Sequence, residues 1–205
     1  MKVAIIDYGM GNLRSVEKAF HKVGMDGAFV TADPREVAGA DKAVLPGDGA
    51  FDATMRSLRS SGVDRITLEF IASGRPFLGI CVGMQVLLTG SEEGEPGVRG
   101  LDVVPGRVRR FPSQPGRKIP QIGWNNLDFT PGSPLGADLP GESPMAYFLH
   151  SYYCAPDDPA DSAATTDYGV TYCSALHRGN VWATQFHPEK SGPVGLAILR
   201  NFGRL

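Results

Sequence analysis

Hydrophobic positions before Gly90 alternate between two patterns. Short apolar runs, typical of strands buried on both faces of a sheet, occur at 3–6, 27–31, 43–45 and 77–80. Apolar residues at steps of three and four, typical of helices, occur at 13–23, at 52–73 with a break near Gly62, and from 82 to 89. Because the predicted strands alternate with helices, we expect a parallel sheet of the doubly wound type.

The pattern changes after Gly90, where Pro/Gly-rich loops separate short β-like runs. The runs lie at 102–109, 146–153, 168–176 and 181–186, the loops at 112–120, 130–144 and 155–160, and a last helix at Val194–Phe202. We expect these runs to add antiparallel strands to the same sheet. The predicted fold is therefore α/β, with a doubly wound, mostly parallel central sheet flanked by helices, and residues 1–205 form a single domain.

The composition of the chain argues against several classes of protein but does not indicate a function. The chain has 205 residues, 42% of them hydrophobic, and a net charge of −2, so no basic excess predicts a nucleic-acid or membrane partner. Its three cysteines lie far apart and form no C-x-x-C pair, which argues against a zinc site or a secreted disulfide framework. The N-terminal apolar run stops at Asp7, too short for a signal peptide. We expect a cytoplasmic protein.

The segment 76–85 contains the pattern G-x-C-x-G, formed by Gly79, Cys81 and Gly83, between a predicted strand and a predicted helix. This pattern is the cysteine counterpart of the G-x-S-x-G nucleophile elbow. Side chains at the two glycine positions would prevent the close approach of the strand and the helix. The helix N-terminus favours thiolate, and the Val82 N–H is placed to donate to an oxyanion. We interpret Cys81 as a candidate nucleophile; a small buried core cysteine is the alternative.

His187 and Glu189 follow the strand-like run at 181–186. In extended geometry, residues two apart point to the same side, so the carboxylate can bind one imidazole nitrogen and leave the other for the thiol. Pro188 favours extended backbone at His187. Alone, this pattern also suits an exposed strand end with an incidental charge. Together with the cysteine elbow, it predicts a Cys-His-Glu triad.

The remaining histidines and cysteines are expected to be structural or solvated. His21 lies on a predicted helix and His177 beside a probable turn, so both are expected in solvent. His150 lies in a strand pattern and is interpreted as a buried, hydrogen-bonded residue. Cys154 and Cys173 lack any elbow and are interpreted as core.

These motifs carry a resemblance to a known family. Residues 79–85 together with 187–189 resemble the class I (triad) glutamine amidotransferases. Four further segments narrow the resemblance to the glutaminase subunits of imidazole glycerol phosphate synthases, which serve histidine biosynthesis. Those segments are 7–13, 45–51, 123–125 and 147–152. The resemblance extends from the first predicted strand to the last helix.

The resemblance implies roles for individual residues. Cys81 would be the nucleophile toward glutamine, His187 the general base and acid, and Glu189 its orienter. Gly49 would contribute a backbone contact in the oxyanion region, and Gln85 with the backbone of Ser151 and Tyr152 would hold glutamine. The residues implied to face a synthase/cyclase partner subunit in a heterodimer are Asn12, Trp124, Tyr147 and Lys190. No metal or organic cofactor is implied.

Several alternatives stay open. Asn12 is also a good helix N-cap, Trp124 also suits the core, and Gly47 and Gly49 also suit turns. Gln121 departs from the family, in which histidine often precedes Gly-Trp-Asn, and this puts the subunit contact in question. Rival functions are a glutaminase serving anthranilate or pyridoxal phosphate synthesis, and an inactive binding module of the same fold.

Overall fold

The computed structural model describes residues 1–95 and 97–205. In chain order, the strands found there are β1 (Val3–Ile6), β2 (Ala28–Thr31), β3 (Lys42–Gly47), β4 (Phe77–Cys81), β5 (Leu88–Ser91), β6 (Val104–Arg110), β7 (Gln121–Asn126), β8 (Asp128–Phe129), β9 (Met145–His150), β10 (Tyr152–Pro156), β11 (Ser162–Asp167), β12 (Thr171–Arg178) and β13 (Val181–Thr184). The α-helices are α1 (Leu13–Lys22), α2 (Pro34–Ala38), α3 (Phe51–Ser61), α4 (Val63–Ala72), α5 (Val82–Gln85) and α6 (Gly192–Arg204).

Most strands join one central sheet, in the order β2-β1-β3-β4-β13-β12-β10-β6-β5. Neighbours from β2 to β13 run parallel, whereas β12, β10 and β6 continue the sheet antiparallel. β11 and β8 extend it beside β12. This arrangement confirms the predicted fold class. One difference is that β7 and β9 pair with each other in a separate antiparallel sheet.

The centre of the sheet sets the position of the functional site. β1, β3, β4 and β13 are buried at every position, as their continuous apolar runs predict. Register pairs Gly47 of β3 with Cys81 of β4, and Thr184 of β13 with Ile80. The carboxyl ends of these three strands therefore meet at one edge, where open α/β sheets bind ligands.

The helix predicted from 82 to 89 is wrong beyond Gln85, because Leu88–Ser91 forms β5. The run 86–88 is fully buried, and hydrophobic periodicity does not distinguish a buried helix from a buried strand. β3 also continues through Pro46 and Gly47, beyond the predicted run 43–45. The run predicted at 146–153 divides at Ser151 into two strands that belong to different sheets.

The sequence pattern also missed β7. Along this strand the polar Gln121 is buried, while Ile122 and Trp124 are exposed. Apolar side chains thus point outward, which reverses the alternation expected of a half-buried strand. Among the described residues, no helix is long and apolar enough to cross a membrane.

Candidate active site

Cys81 stands at a strained turn between β4 and α5. Its backbone has φ +56° and ψ −113°, a conformation that side-chain-bearing residues adopt only when their surroundings enforce it. A Cβ on Gly83 would lie 1.9 Å from the Leu45 carbonyl oxygen, and one on Gly79 would lie 2.6 Å from the Gly83 oxygen. The two glycines therefore let α5 pack directly onto β3 and β4, as the elbow pattern predicts.

His187 and Glu189 form a buried pair near the same sheet edge. His187 Nδ1 lies 2.9 Å from Glu189 Oε1, and the two side chains are 6% and 1% exposed. His187 is extended, as Pro188 predicts, but the residues that follow it are not. β13 ends at Thr184, and Pro188–Lys190 forms a 3-10 turn that brings the carboxylate back to the imidazole.

The environment of His187 favours the imidazolium. Burial lowers its pKa, but hydrogen bonds to Cys81 and Glu189 and the negative charge of both groups outweigh burial and raise the pKa to about 10. Glu189 binds Nδ1 and orients the ring, which leaves Nε2 for the sulfur. A positive imidazole beside Cys81 stabilises negative charge on the nucleophile.

The backbone of His187 is held by β9 and by Ser191. The His187 N–H donates to the Tyr147 carbonyl at 3.0 Å, and the Tyr147 N–H donates to Ser191 Oγ at 2.9 Å. The Ser191 hydroxyl donates to the His187 carbonyl at 2.6 Å. This closed cycle ties the base to the strand that carries Tyr147. Sequence reasoning missed Ser191.

A cavity of about 50 Å3 opens beside Cys81. Besides the cysteine, its lining contains five residues singled out from the sequence: Gly49, Val82, Gln85, Ser151 and Tyr152. It also contains Asp48, Glu93, Leu149 and His150. In this state the volume suits a few water molecules rather than a whole glutamine.

The segment 46–51 forms one wall and is anchored at both ends. The buried Tyr8 hydroxyl donates to the Pro46 carbonyl at 2.8 Å, and the Phe51 N–H donates to Glu93 Oε2 at 2.8 Å. Between these anchors, the Gly49 N–H donates to Asp48 Oδ1 at 2.8 Å. Gly49 itself has φ +87°, a conformation that glycine adopts freely. In this state its N–H is directed to a neighbouring carboxylate.

Two further residues at the site were not found from the sequence. Gln185 is fully buried, and its Nε2 lies 3.8 Å from Cys81 Sγ. Glu93 lines the cavity; burial raises the pKa of its carboxyl, the Phe51 N–H opposes this change, and Asp52 adds to it. Gln185 directly follows β13 and Glu93 follows β5. Their proximity depends on strand pairing that no local motif reveals.

The residues implied to face a partner lie on the surface. Trp124 is 54% exposed, so the core alternative is wrong for this residue. It packs edge-on against the half-buried Tyr147 across the β7–β9 pair, with ring centroids 6.2 Å apart. Asn12 and Lys190 are exposed. Asn12 precedes α1, but its side chain makes no capping bond within the described chain.

The remaining candidates behave as expected except His177, which was expected in solvent. Cys154 and Cys173 are buried free thiols, and His150 is buried and hydrogen-bonded. His21 is exposed, whereas His177 is half-buried because it stacks on Trp182. Within residues 1–95 and 97–205, no cluster of three or more His, Cys, Asp or Glu side chains is placed to bind a metal ion.

Two curated relatives of high sequence identity are subunits of one kind of enzyme. The chain is 53% identical over 209 residues to imidazole glycerol phosphate synthase subunit HisH of Geobacter sulfurreducens, covering 100% of this chain and 99% of that protein. It is 54% identical over 208 residues to imidazole glycerol phosphate synthase subunit HisH of Syntrophotalea carbinolica, covering 98% of each.

Solved structures and a family model agree with these relatives. A crystal structure of a glutamine amidotransferase aligns with a TM-score of 0.74 and 19% identity over 99% of this chain and all of the other. The PurLQS structure from Thermotoga maritima aligns with a TM-score of 0.71 and 16% identity, covering 99% and 97%. At such identities the likeness shows the fold. The model of the family glutamine amidotransferase class-I matches residues 4–204. The chain therefore belongs to the class-I glutamine amidotransferase family and to its HisH branch.

Proposed function

We propose that this chain is the glutaminase subunit of an imidazole glycerol phosphate synthase. The observation that carries the proposal is the interaction of His187 with both Cys81 and the buried Glu189, in a chain about half identical to HisH proteins over its whole length. One domain, residues 1–205, would hold the complete glutaminase site. Three free cysteines suit a reducing cytosol.

The reaction uses the triad in two steps. The Cys81 thiolate attacks the side-chain carboxamide of glutamine, and the His187 imidazolium gives a proton to the departing ammonia. Water then attacks the γ-glutamyl thioester, with His187 accepting its proton, and glutamate leaves as the thiolate is restored. The pair's buried hydrogen bond supports this cycle because it holds the ring through Nδ1 and leaves Nε2 free for proton transfer.

Backbone N–H groups would stabilise the tetrahedral oxyanion, at roughly 3–4 kcal/mol for each donor. Val82 is the first residue of α5, so its N–H is not used inside the helix. The Gly49 N–H is bonded to Asp48 and must turn away from that carboxylate before it can donate. The site would therefore be only partly assembled in this state.

The cavity lining suits the two ends of glutamine. Gln85, Ser151 and Tyr152 supply amide and carbonyl groups beside Cys81 for the polar atoms of the substrate. Glu93 places a half-buried carboxylate in the same cavity, and an α-ammonium group would compensate its charge. These four residues would orient glutamine once the wall formed by 46–51 has moved.

The partner would dock on the outer face of β7 and β9. We define the outer face as Ile122, Trp124, Met145, Tyr147 and Leu149, whose pairing in register places them on one side. Four of them are large apolar side chains between 38% and 61% exposed, a composition typical of interface cores. Asn12 and Lys190 would contribute polar contacts. Ammonia would pass to this synthase/cyclase subunit, which forms imidazole glycerol phosphate and aminoimidazole carboxamide ribotide.

The direct test is the Cys81→Ala variant in complex with the synthase subunit. Glutamine hydrolysis should fall to background, while ammonia supplied in solution should still support synthesis by the complex. Cys154→Ala is the matched control, since Cys154 is also a buried free thiol and lies outside the cavity. Persistent glutamine hydrolysis by Cys81→Ala would refute the proposal.

A second experiment addresses control by the partner. Because the cavity is small and the Gly49 donor is engaged, the isolated chain should hydrolyse glutamine slowly. Activity should rise when the synthase subunit and its nucleotide substrate are both present. Equal rates with and without them would exclude this form of regulation.

Two rivals remain testable. A glutaminase serving anthranilate or pyridoxal phosphate synthesis would co-purify with a different partner. An inactive binding module would leave Cys81 unreactive toward a glutamine-analogue alkylator. The buried His187–Glu189 hydrogen bond favours an active enzyme.

A further inference from the structure

A row of buried polar side chains leads inward from β7. Gln121, Tyr172 and His150 are 2%, 3% and 6% exposed. The Tyr172 hydroxyl lies 3.0 Å from Gln121 Oε1 and 3.3 Å from His150 Nε2. His150 Nδ1 lies 2.8 Å from the Tyr152 carbonyl oxygen. Three strands and the cavity wall are thus joined through side chains that the proposed chemistry leaves unused.

The protons in this row have one consistent arrangement. Burial lowers the pKa of His150 to about 4, the Tyr152 carbonyl opposes the change, and His187 adds to it. Neutral His150 therefore donates from Nδ1 to the Tyr152 carbonyl. Its Nε2 accepts a hydrogen bond from the Tyr172 hydroxyl. The Gln121 Nε2 has no partner among the described residues as its amide is placed. Turning that amide over directs Nε2 to the Tyr172 oxygen.

The row continues from Tyr152 to the nucleophile. The Tyr152 carbonyl also accepts from Gln85 Nε2 at 3.0 Å. Gln85 Nε2 lies 3.1 Å from Gln185 Oε1, and Gln185 Nε2 lies 3.8 Å from Cys81 Sγ. A continuous set of polar contacts therefore connects a buried position on β7 with the sulfur.

We propose that Gln121, Tyr172 and His150 are positioning residues: they hold the Tyr152 carbonyl, and with it the wall of the glutamine site, in a place set by β7. Gln121 is buried on β7, while its neighbours Ile122 and Trp124 belong to the outer face. A shift of β7 on docking thus reaches Tyr152 through hydrogen bonds. This inference rests on the proposed function, since it assumes glutamine in the cavity and a partner on the outer face.

The row has a physical reason to transmit small displacements. A buried polar group costs free energy when it loses its hydrogen-bond partner. Because of this cost, a displacement of one side chain in the row favours a matching displacement of the next. Phe111 and Phe148 pack against His150, with ring centroids 5.2 Å and 5.6 Å away. These aromatic rings exclude water that would otherwise substitute for a missing partner.

The test is Tyr172→Phe, assayed in the complex with the synthase subunit. It removes the hydroxyl alone, so KM for glutamine should rise about threefold to tenfold, the effect of one hydrogen bond. The kcat should change less than KM. Tyr168→Phe is the control, because the Tyr168 hydroxyl donates to the Lys118 carbonyl outside this row, and its KM should match the wild type.

A double-mutant cycle guards against a purely structural effect. Gln121→Leu should raise KM by a similar factor, and the double variant should raise it no further than the larger single change, because both break one row. Unchanged KM in the single variants would overturn the inference, even if their melting temperatures were lower. It would also be overturned if the KM increases of the two single variants multiplied in the double variant. If Tyr172→Phe does not fold, Gln121→Leu alone decides. A wild-type complex that does not hydrolyse glutamine would refute the proposed function instead.

Discussion

At the scale of single residues, reactivity depends on how Glu189 supports His187. The carboxylate fixes the imidazole tautomer and, after Cys81, contributes to the raised His187 pKa. Glu189→Gln keeps the shape but removes the charge. We expect kcat for glutamine hydrolysis to fall by about 10²- to 10⁴-fold, as when a triad carboxylate is replaced by an amide.

The same variant should change the pH at which His187 loses its proton. Removing the carboxylate takes away a cause that raises the His187 pKa, so the imidazolium should lose its proton at a lower pH. The titration of the His187 ring, followed by NMR for wild type and Glu189→Gln, should move to lower pH in the variant. Glu69→Gln is the control, as Glu69 is exposed on α4. Identical profiles would show that Glu189 does not set the charge of His187.

The pKa of His150 is shifted in the opposite direction to that of His187, and this gives a prediction about stability. Its pKa in the folded protein is lowered to about 4, below the unfolded value of about 6.5. The unfolded chain therefore binds the proton more tightly, and the stability contributed above pH 6.5 is lost as pH falls toward 4. The loss amounts to about 3 kcal/mol at 1.36 kcal/mol per pKa unit.

Urea unfolding of wild type and His150→Asn between pH 7 and 4 measures this effect. The variant carries no group there that titrates in this range, so the difference in unfolding free energy between the two proteins should shrink as pH falls. A difference that stays constant would mean that His150 is not buried as a neutral imidazole.

Residues of the triad were predictable because their signals are local. Cys81 stands between two glycines, and His187 and Glu189 are separated by one residue. Gln185 and Glu93 were not predictable, since the contact of Gln185 with Cys81 spans 104 positions and depends on pairing of β13 with β4. The functional roles of the cavity residues remain predictions.

At the scale of elements, the strand-to-helix turn depends on the close approach of α5 to β3. A Cβ at position 83 would lie 1.9 Å from the Leu45 oxygen, where neither backbone can give way. Gly83→Ala should therefore lower the unfolding free energy by about 3 kcal/mol or more, at or above the usual range for overpacking.

Gly90→Ala is the matched comparison, because its added Cβ would lie 3.8 Å from the Val98 oxygen, an ordinary contact. Its unfolding free energy should change by less than about 1 kcal/mol, a typical small effect of a single mutation. Denaturant unfolding followed by circular dichroism separates the two variants. Equal stabilities would mean that α5 does not pack on β3 as described.

Elements were predictable where burial produces a simple pattern. The strands β1 to β4 and the helices α1, α3 and α4 follow apolar runs and helical periodicity, and the structure confirms them. Two elements differ: α2 was not predicted, and β13, expected among the added antiparallel strands, pairs parallel with β4. β7 was not predictable, since its polar residue faces inward and its apolar residues face solvent. That reversal agrees with the proposed docking of a partner on the outer face.

At the scale of the whole molecule, partner affinity should depend on the outer face. Trp124→Ala should weaken binding of the synthase subunit about 30-fold or more, the effect of losing an aromatic hot spot of about 2 kcal/mol. Stability of the isolated chain should change little, because Trp124 is exposed.

Leu68→Ala provides the comparison, since Leu68 is a similarly exposed apolar residue on α4, away from β7 and β9. Calorimetric titration with the synthase subunit should give wild-type affinity for it. Equal affinity of Trp124→Ala and wild type would place the partner elsewhere on the surface.

The contrast between the chain's two tryptophans makes docking observable without a label. Trp124 is largely in solvent, whereas Trp182 is 5% exposed. Covering Trp124 should move its fluorescence emission to shorter wavelength, while the buried Trp182 supplies a constant background. A Trp182→Phe protein would then report complex formation through a single indole, and stopped-flow mixing would time that event against the onset of glutamine hydrolysis.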